Sequence, residues 1–222
     1  MKKDFEFPDL ISSMGTLVQA CLPTIIPVYF ALFALGFGVD YLMGEEAFAG
    51  VIVAVGQFVI SYFLVVGMAR NSGVLTEGEA GPGFGSYFGL SFIMGIGITV
   101  GYFLLVIPGI FLTIRWLLAF PILFSPNDYG EDGKGALGQS FAWTAPVAWK
   151  LTAAWLLGAL LMGISIYAYF WVGEGLDETR VMVGYGIANA AAAANTIYTL
   201  VLGFGAFLLL RDDRAELEEV FS

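Results

Sequence analysis

The stretch from Gly89 to Phe124 constrains this chain more than any other feature, because it is apolar almost throughout, carries one charge, Arg115, and is interrupted only at Pro108-Gly109. Hydrocarbon offers no partner to an unpaired backbone N–H or C=O, so an uninterrupted run of about 18 or more apolar residues reads as a bilayer-spanning helix. Three further long apolar runs surround it. Spans are expected at 22–43, 47–69, 87–107, 109–125, 150–172 and 181–210.

Composition leaves no room for a soluble alternative. Hydrophobic residues make up 59% of 222, charged residues 13%, and the mean hydropathy is +0.83, against roughly 45–50% apolar and about 25% charged in soluble proteins. The fold class that follows is all-α: a polytopic integral membrane helix bundle of about six transmembrane helices plus interfacial amphipathic helices. It forms a single membrane domain over 1–222, with hairpin units at 8–69, 82–125 and 134–210. The 29 glycines allow close helix approach.

Six spans put both termini on one side. Lys2, Lys3, Arg70, Lys134, Lys150, Arg211 and Arg214 fall on that side and Arg180 alone on the other, so the positive-inside rule places both termini in the cytoplasm. Glu45-Glu46 and the loop from Glu174 to Arg180 then lie on the far side.

Two segments carry helical periodicity without being spans. In Pro8 to Gln19, Leu10, Ile11, Met14, Leu17 and Val18 take one face and Asp9, Ser12, Ser13, Thr16 and Gln19 the other, the pattern of an interfacial helix lying against acyl chains. In Lys134 to Trp149, Leu137, Phe141, Ala145 and Ala148 form one stripe. Gly81 to Leu90 is a weaker third copy, which makes the three hairpin units an internal repeat.

Catalytic chemistry is thin. The chain has no His, which removes the commonest metal ligand and acid–base group, and no carboxylate lies deep in an expected span. No enzyme activity, catalytic residue, metal or cofactor is expected. Asp128, Glu131 and Asp132 lack the spacing of a calcium loop and read as a solvated turn. The net charge of −10 argues against nucleic acid as a partner. Cys21 stands alone and reads as a packed thiol.

The glycine pairs sit inside apolar helices and not after strands, so they serve packing and not phosphate binding. Gln57, Asn189 and Asn195 are expected to hydrogen-bond between helices. Arg115 is the candidate site. With Pro108-Gly109 turning the chain near the outer interface, Arg115 lies about 9 Å further along a helix, within reach of Asp40, Glu174, Asp177 or a lipid phosphate. A pair pinning neighbouring helices and a lipid or anion site are both open.

The run Leu104 to Phe111, then Ile114-Arg115, Ala119, Pro121, the acidic turn Asp128 to Asp132, and Gly135-Ala136-Leu137 with Ser140 and Trp143 resembles a group of bacterial inner-membrane proteins. These are the YciC-like proteins and the membrane domain attached to some glycerophosphodiester phosphodiesterases. The resemblance covers about Tyr87 to Trp155. It implies a six-helix membrane domain of unsettled role and no catalytic residue. The function classes left are a non-enzymatic, membrane-organising or lipid-associated protein with membrane lipids as partners, an accessory or assembly subunit bound to other membrane proteins, and a small transporter or channel.

Overall fold

The computed structural model describes residues 5–44, 46, 48–76, 78–126, 135–171 and 177–221, with side chains as far as Arg211. Eight helices lie among the described residues: α1 (Phe7–Met43), α2 (Ala49–Asn71), α3 (Phe84–Leu104), α4 (Val106–Arg115), α5 (Ala119–Leu123), α6 (Ala136–Thr144), α7 (Ala148–Trp171) and α8 (Glu178–Phe221). No strand occurs among them. Six candidate spans are long and apolar enough to cross a membrane: α1, α2, α3, α4 and α5 taken together, α7, and α8 as far as Arg211. The all-α, multi-pass architecture expected from the sequence is the one observed.

Contacts group the chain into two units. The first gathers the chain up to Cys21, Val65–Trp155 and the chain from Leu200; the second gathers Leu22–Leu64 and Leu156–Thr199. The division falls inside α1, α2, α7 and α8 and draws the second unit from the first and last of the expected hairpins.

In the first unit, the amphipathic segment Pro8 to Gln19 is not a separate interfacial helix. It is the opening of α1 and continues without a break into the span. Of its stripe Leu10, Met14 and Leu17 are buried in protein, as is Cys21 one turn on, while Val18 is half-buried and Ile11 exposed. Ser13 Oγ donates to the Gly205 carbonyl at 3.0 Å, and Gly205 lets Met14 approach so closely that a Cβ there would meet its Cγ at 3.0 Å. A helix surface that repeats every 3.6 residues fits a neighbouring helix as well as it fits a bilayer surface, and here the partner is α8. The third expected interfacial segment, Gly81 to Leu90, is likewise the start of α3, whose N-cap is Gly83.

The position of the hairpin turn also differs from expectation. Pro108 and Gly109 lie inside α4, and the break falls at Leu105, the one extended residue between α3 and α4 (φ −164°, ψ 151°). A proline has no N–H to lose in the first turn of a helix, where those groups have no intrahelical acceptor anyway. Pro108 is therefore the third residue of a new helix and marks a break three residues before it. Gly109 has a packing role: a Cβ on Gly101 of α3 would come within 3.0 Å of the Gly109 Cα.

The second unit is built from unbroken helix segments packed through small residues. Ala188, Ala191 and Ala193 of α8 are buried, Gly56 receives the Leu35 side chain, and Gly158 receives the Tyr198 ring. Close backbone approach of this kind supplies van der Waals contact where lipid removes the hydrophobic drive between helices.

Candidate functional site

The span formed by α4 and α5 is broken at Trp116 to Leu118, and the break explains what surrounds it. Pro121 has no N–H for the Leu117 carbonyl, and its ring would clash with that carbonyl in a continuous helix. It stands third in α5, as Pro108 stands third in α4. In hydrocarbon the freed backbone groups need partners, and α6 provides them. Ser140 Oγ donates to the Arg115 carbonyl at 2.8 Å and accepts the Leu118 N–H at 3.1 Å. Thr144 Oγ1 lies 2.8 Å from the Ser140 carbonyl and 3.3 Å from that of Arg115. One short helix thus bridges both sides of the gap with side-chain hydroxyls.

This use of hydroxyls sets which face of α6 meets the protein. Its polar side chains Gln139, Ser140 and Thr144 are buried, while the stripe read from the sequence points away from the protein: Leu137 and Ala148 are half-buried, Phe141 and Ala145 exposed. Trp143 stacks on Phe207 of α8, with ring centroids 5.8 Å apart and planes 8° from parallel.

Arg115 closes α4. Its side chain is only 7% exposed, and its guanidinium carbon lies 3.9 Å from the centre of the Phe141 ring and 5.7 Å from that of Phe111. The two rings meet edge to face at 5.8 Å and are themselves 38% and 51% exposed. The Nε has no hydrogen-bond partner, and no carboxylate pairs with the guanidinium among the described residues.

Two of the expected ion partners are engaged elsewhere or exposed. Asp40 Oδ2 accepts the Tyr169 hydroxyl at 2.6 Å and the Asn189 amide at 2.7 Å. Asp177 is exposed and precedes α8, its carbonyl accepting the Arg180 and Val181 N–H groups. Glu174 and the acidic turn Asp128 to Asp132 lie outside the described residues. Among the described residues the Arg115 guanidinium rests on the Phe111 and Phe141 rings and meets neither Asp40 nor Asp177. Of the three amides, Asn189 bonds between α8 and α1. Asn195 stands against Gly158, its Oδ1 3.3 Å from where a Cβ would lie, and neither it nor Gln57 makes a side-chain hydrogen bond to another described residue.

A cavity of about 540 Å³ opens among the starts of α3 and α6 and the end of α5, lined by Leu90, Ile93, Leu123, Leu137 and Ser86. Leu137 lies one helical turn from Phe141 on the outward stripe of α6. Sequence reading missed Ser140 and Thr144 as partners of a helix break and Tyr169 as a partner of Asp40. The signal for the first two was Pro121, which required hydroxyl donors somewhere nearby. Among the described residues no group of three His, Cys, Asp or Glu side chains is placed to hold a metal ion. Compared with protein-family models, curated proteins and solved structures, the chain matches none.

Proposed function

We propose that this chain is a non-enzymatic, lipid-associated protein of the bacterial inner membrane, with both termini cytoplasmic, and that Arg115 receives an anionic lipid headgroup. The observation that carries this reading is the Arg115 environment. An arginine deep in a bilayer costs roughly 2.5–3.5 kcal/mol on insertion scales. Stacking on aromatic rings returns about 0.5–2 kcal/mol, and a cation in the last turn of a helix about 0.3–1 kcal/mol. The balance is at best near zero, and a lipid phosphate accepting from the guanidinium edge makes it favourable. The outward rings of Phe111 and Phe141 and the apolar cavity beside Leu137 favour lipid over a soluble anion.

The test is native mass spectrometry of protein released from mixed phosphatidylglycerol and phosphatidylcholine bilayers. Arg115→Leu should lose the bound anionic lipid while keeping its melting temperature. Arg115→Lys, which keeps the charge but not the planar stacking, should retain it in part. Unchanged lipid retention in Arg115→Leu, or a drop in stability with lipid still bound, would overturn the reading. Orientation is tested separately by reporter fusions at Ser222 and after Glu46, which should report opposite compartments.

A further inference from the structure

The second unit has a polar centre of its own, around Asp40. This residue stands in the last turn of α1, and both of its hydrogen bonds, from Tyr169 of α7 and from Asn189 of α8, go to Oδ2. Among the described residues, Oδ1 has no donor and no Lys or Arg pairs with the carboxylate. The arrangement is rigid. Asn189 is 6% exposed, its amide also donates to the Tyr185 carbonyl at 2.9 Å, and Gly36, one turn before Asp40, leaves room for it where any Cβ would collide with Asn189 Oδ1. The rings of Tyr169 and Tyr185 lie 6.0 Å apart at 56°.

If this cluster only joined three helices, a neutral side chain at position 40 would serve. An asparagine oxygen accepts the same two bonds without the cost of charge in a span or of a negative group at the negative end of a helix. A carboxylate is more than helix joining requires. A carboxylate with one open oxygen, next to two tilted tyrosine rings, is what a small organic cation needs: an N–H donor bond to oxygen and a π face against the charge.

We propose that Asp40, Tyr169 and Tyr185 form a binding site for a primary ammonium group, supplied by an aminophospholipid headgroup or by a free amine. The site shares no residue with that of Arg115 and does not rest on the lipid reading, since a free amine would satisfy it.

The experiment uses the full chain in phosphatidylglycerol nanodiscs, titrated calorimetrically with ethylammonium chloride against a sodium chloride control. Wild type should bind saturably. Asp40→Asn keeps an acceptor for Tyr169 and Asn189 and should weaken binding about tenfold or more by removing the charged oxygen. Tyr185→Leu leaves the Asp40 bonds in place and should weaken binding several-fold through loss of one aromatic wall, which keeps the test decisive if Asp40→Asn proves unstable. In discs containing phosphatidylethanolamine, native mass spectrometry separates the sources: retained lipid that is lost in Asp40→Asn assigns the headgroup, and unchanged lipid with weakened ethylammonium binding assigns a free amine. No saturable binding by wild type in either arm, or binding unchanged in both variants, overturns the proposal.

Discussion

The two units use polar side chains for opposite purposes. In the first, hydroxyls serve the backbone: Ser140 and Thr144 reach the carbonyl and N–H groups set free where α4 stops and α5 starts. In the second the helix segments run unbroken, and the polar side chains Tyr169 and Asn189 serve another side chain, Asp40. Phe124, Phe204 and Phe207 are fully buried in the first unit, beside close glycine contacts at Gly101 and Gly205, and the second unit packs through Ala188, Ala191 and Ala193 and the clefts at Gly56 and Gly158. A broken helix leaves irregular gaps that only bulky side chains fill, and continuous helices come close only where side chains are small. The first unit therefore depends on hydroxyls that repair a broken helix, and the second on a carboxylate that joins three helices.

The hardest test of this contrast is Phe207→Ala. The ring is fully buried against Trp143, and its removal should cost about 3–5 kcal/mol through the cavity it leaves, measured by denaturant titration in mixed micelles. A loss below about 1 kcal/mol, the level of an ordinary surface change, would mean that aromatic packing does not hold the first unit. Ser140→Ala comes next. It strands the Leu118 N–H while Thr144 still reaches the Arg115 carbonyl, so about 1–3 kcal/mol should be lost, with faster hydrogen exchange confined to Trp116 to Ala119. Asn189→Ala in the second unit should cost less, about 0.6 kcal/mol and at most near 1.7, the range of hydrogen bonds between membrane helices. If Asn189→Ala proves more damaging than Ser140→Ala, the polar groups of the second unit are structural and the contrast fails.

How much of this was legible depends on which physical rule each residue obeys. Span number and helix class follow from apolar length, which no tertiary contact overrides in a bilayer. The turn before the fourth span was announced by Pro108 but misplaced, because a proline tolerated in a first turn puts the discontinuity three residues upstream, at Leu105, and the break ahead of Pro121 was not read from the sequence. The stripes of α1 and α6 were found as stripes. The direction of the first was not, since periodicity says that a helix has two faces and not which one meets protein: Leu10 and Met14 turn inward onto protein, whereas Phe141 of α6 stays exposed. Arg115 was singled out by its charge, but its stacking on Phe141, 26 positions away in a different helix, required the tertiary fold. Asp40 and Asn189 were each noticed singly, and their bond likewise becomes visible only when α1 and α8 are brought together.

The smallest expected effect concerns a second carboxylate, one outside the spans and in the first unit, where polar groups are held to serve the backbone. Glu79 lies in the turn between α2 and α3 and accepts the Thr76 N–H at 3.0 Å. The Thr76 hydroxyl first, and its N–H next, hold the Glu79 carboxyl below its ordinary value. A carboxyl whose pKa is lower folded than unfolded favours the folded turn above the unfolded pKa, and that contribution disappears as pH falls through the lowered value. The Thr76 amide proton should therefore shift upfield and exchange faster at a pH below the ordinary carboxylate range, near 4, and Glu79→Gln should remove the titration without measurable change in melting temperature, because the group is fully exposed to water.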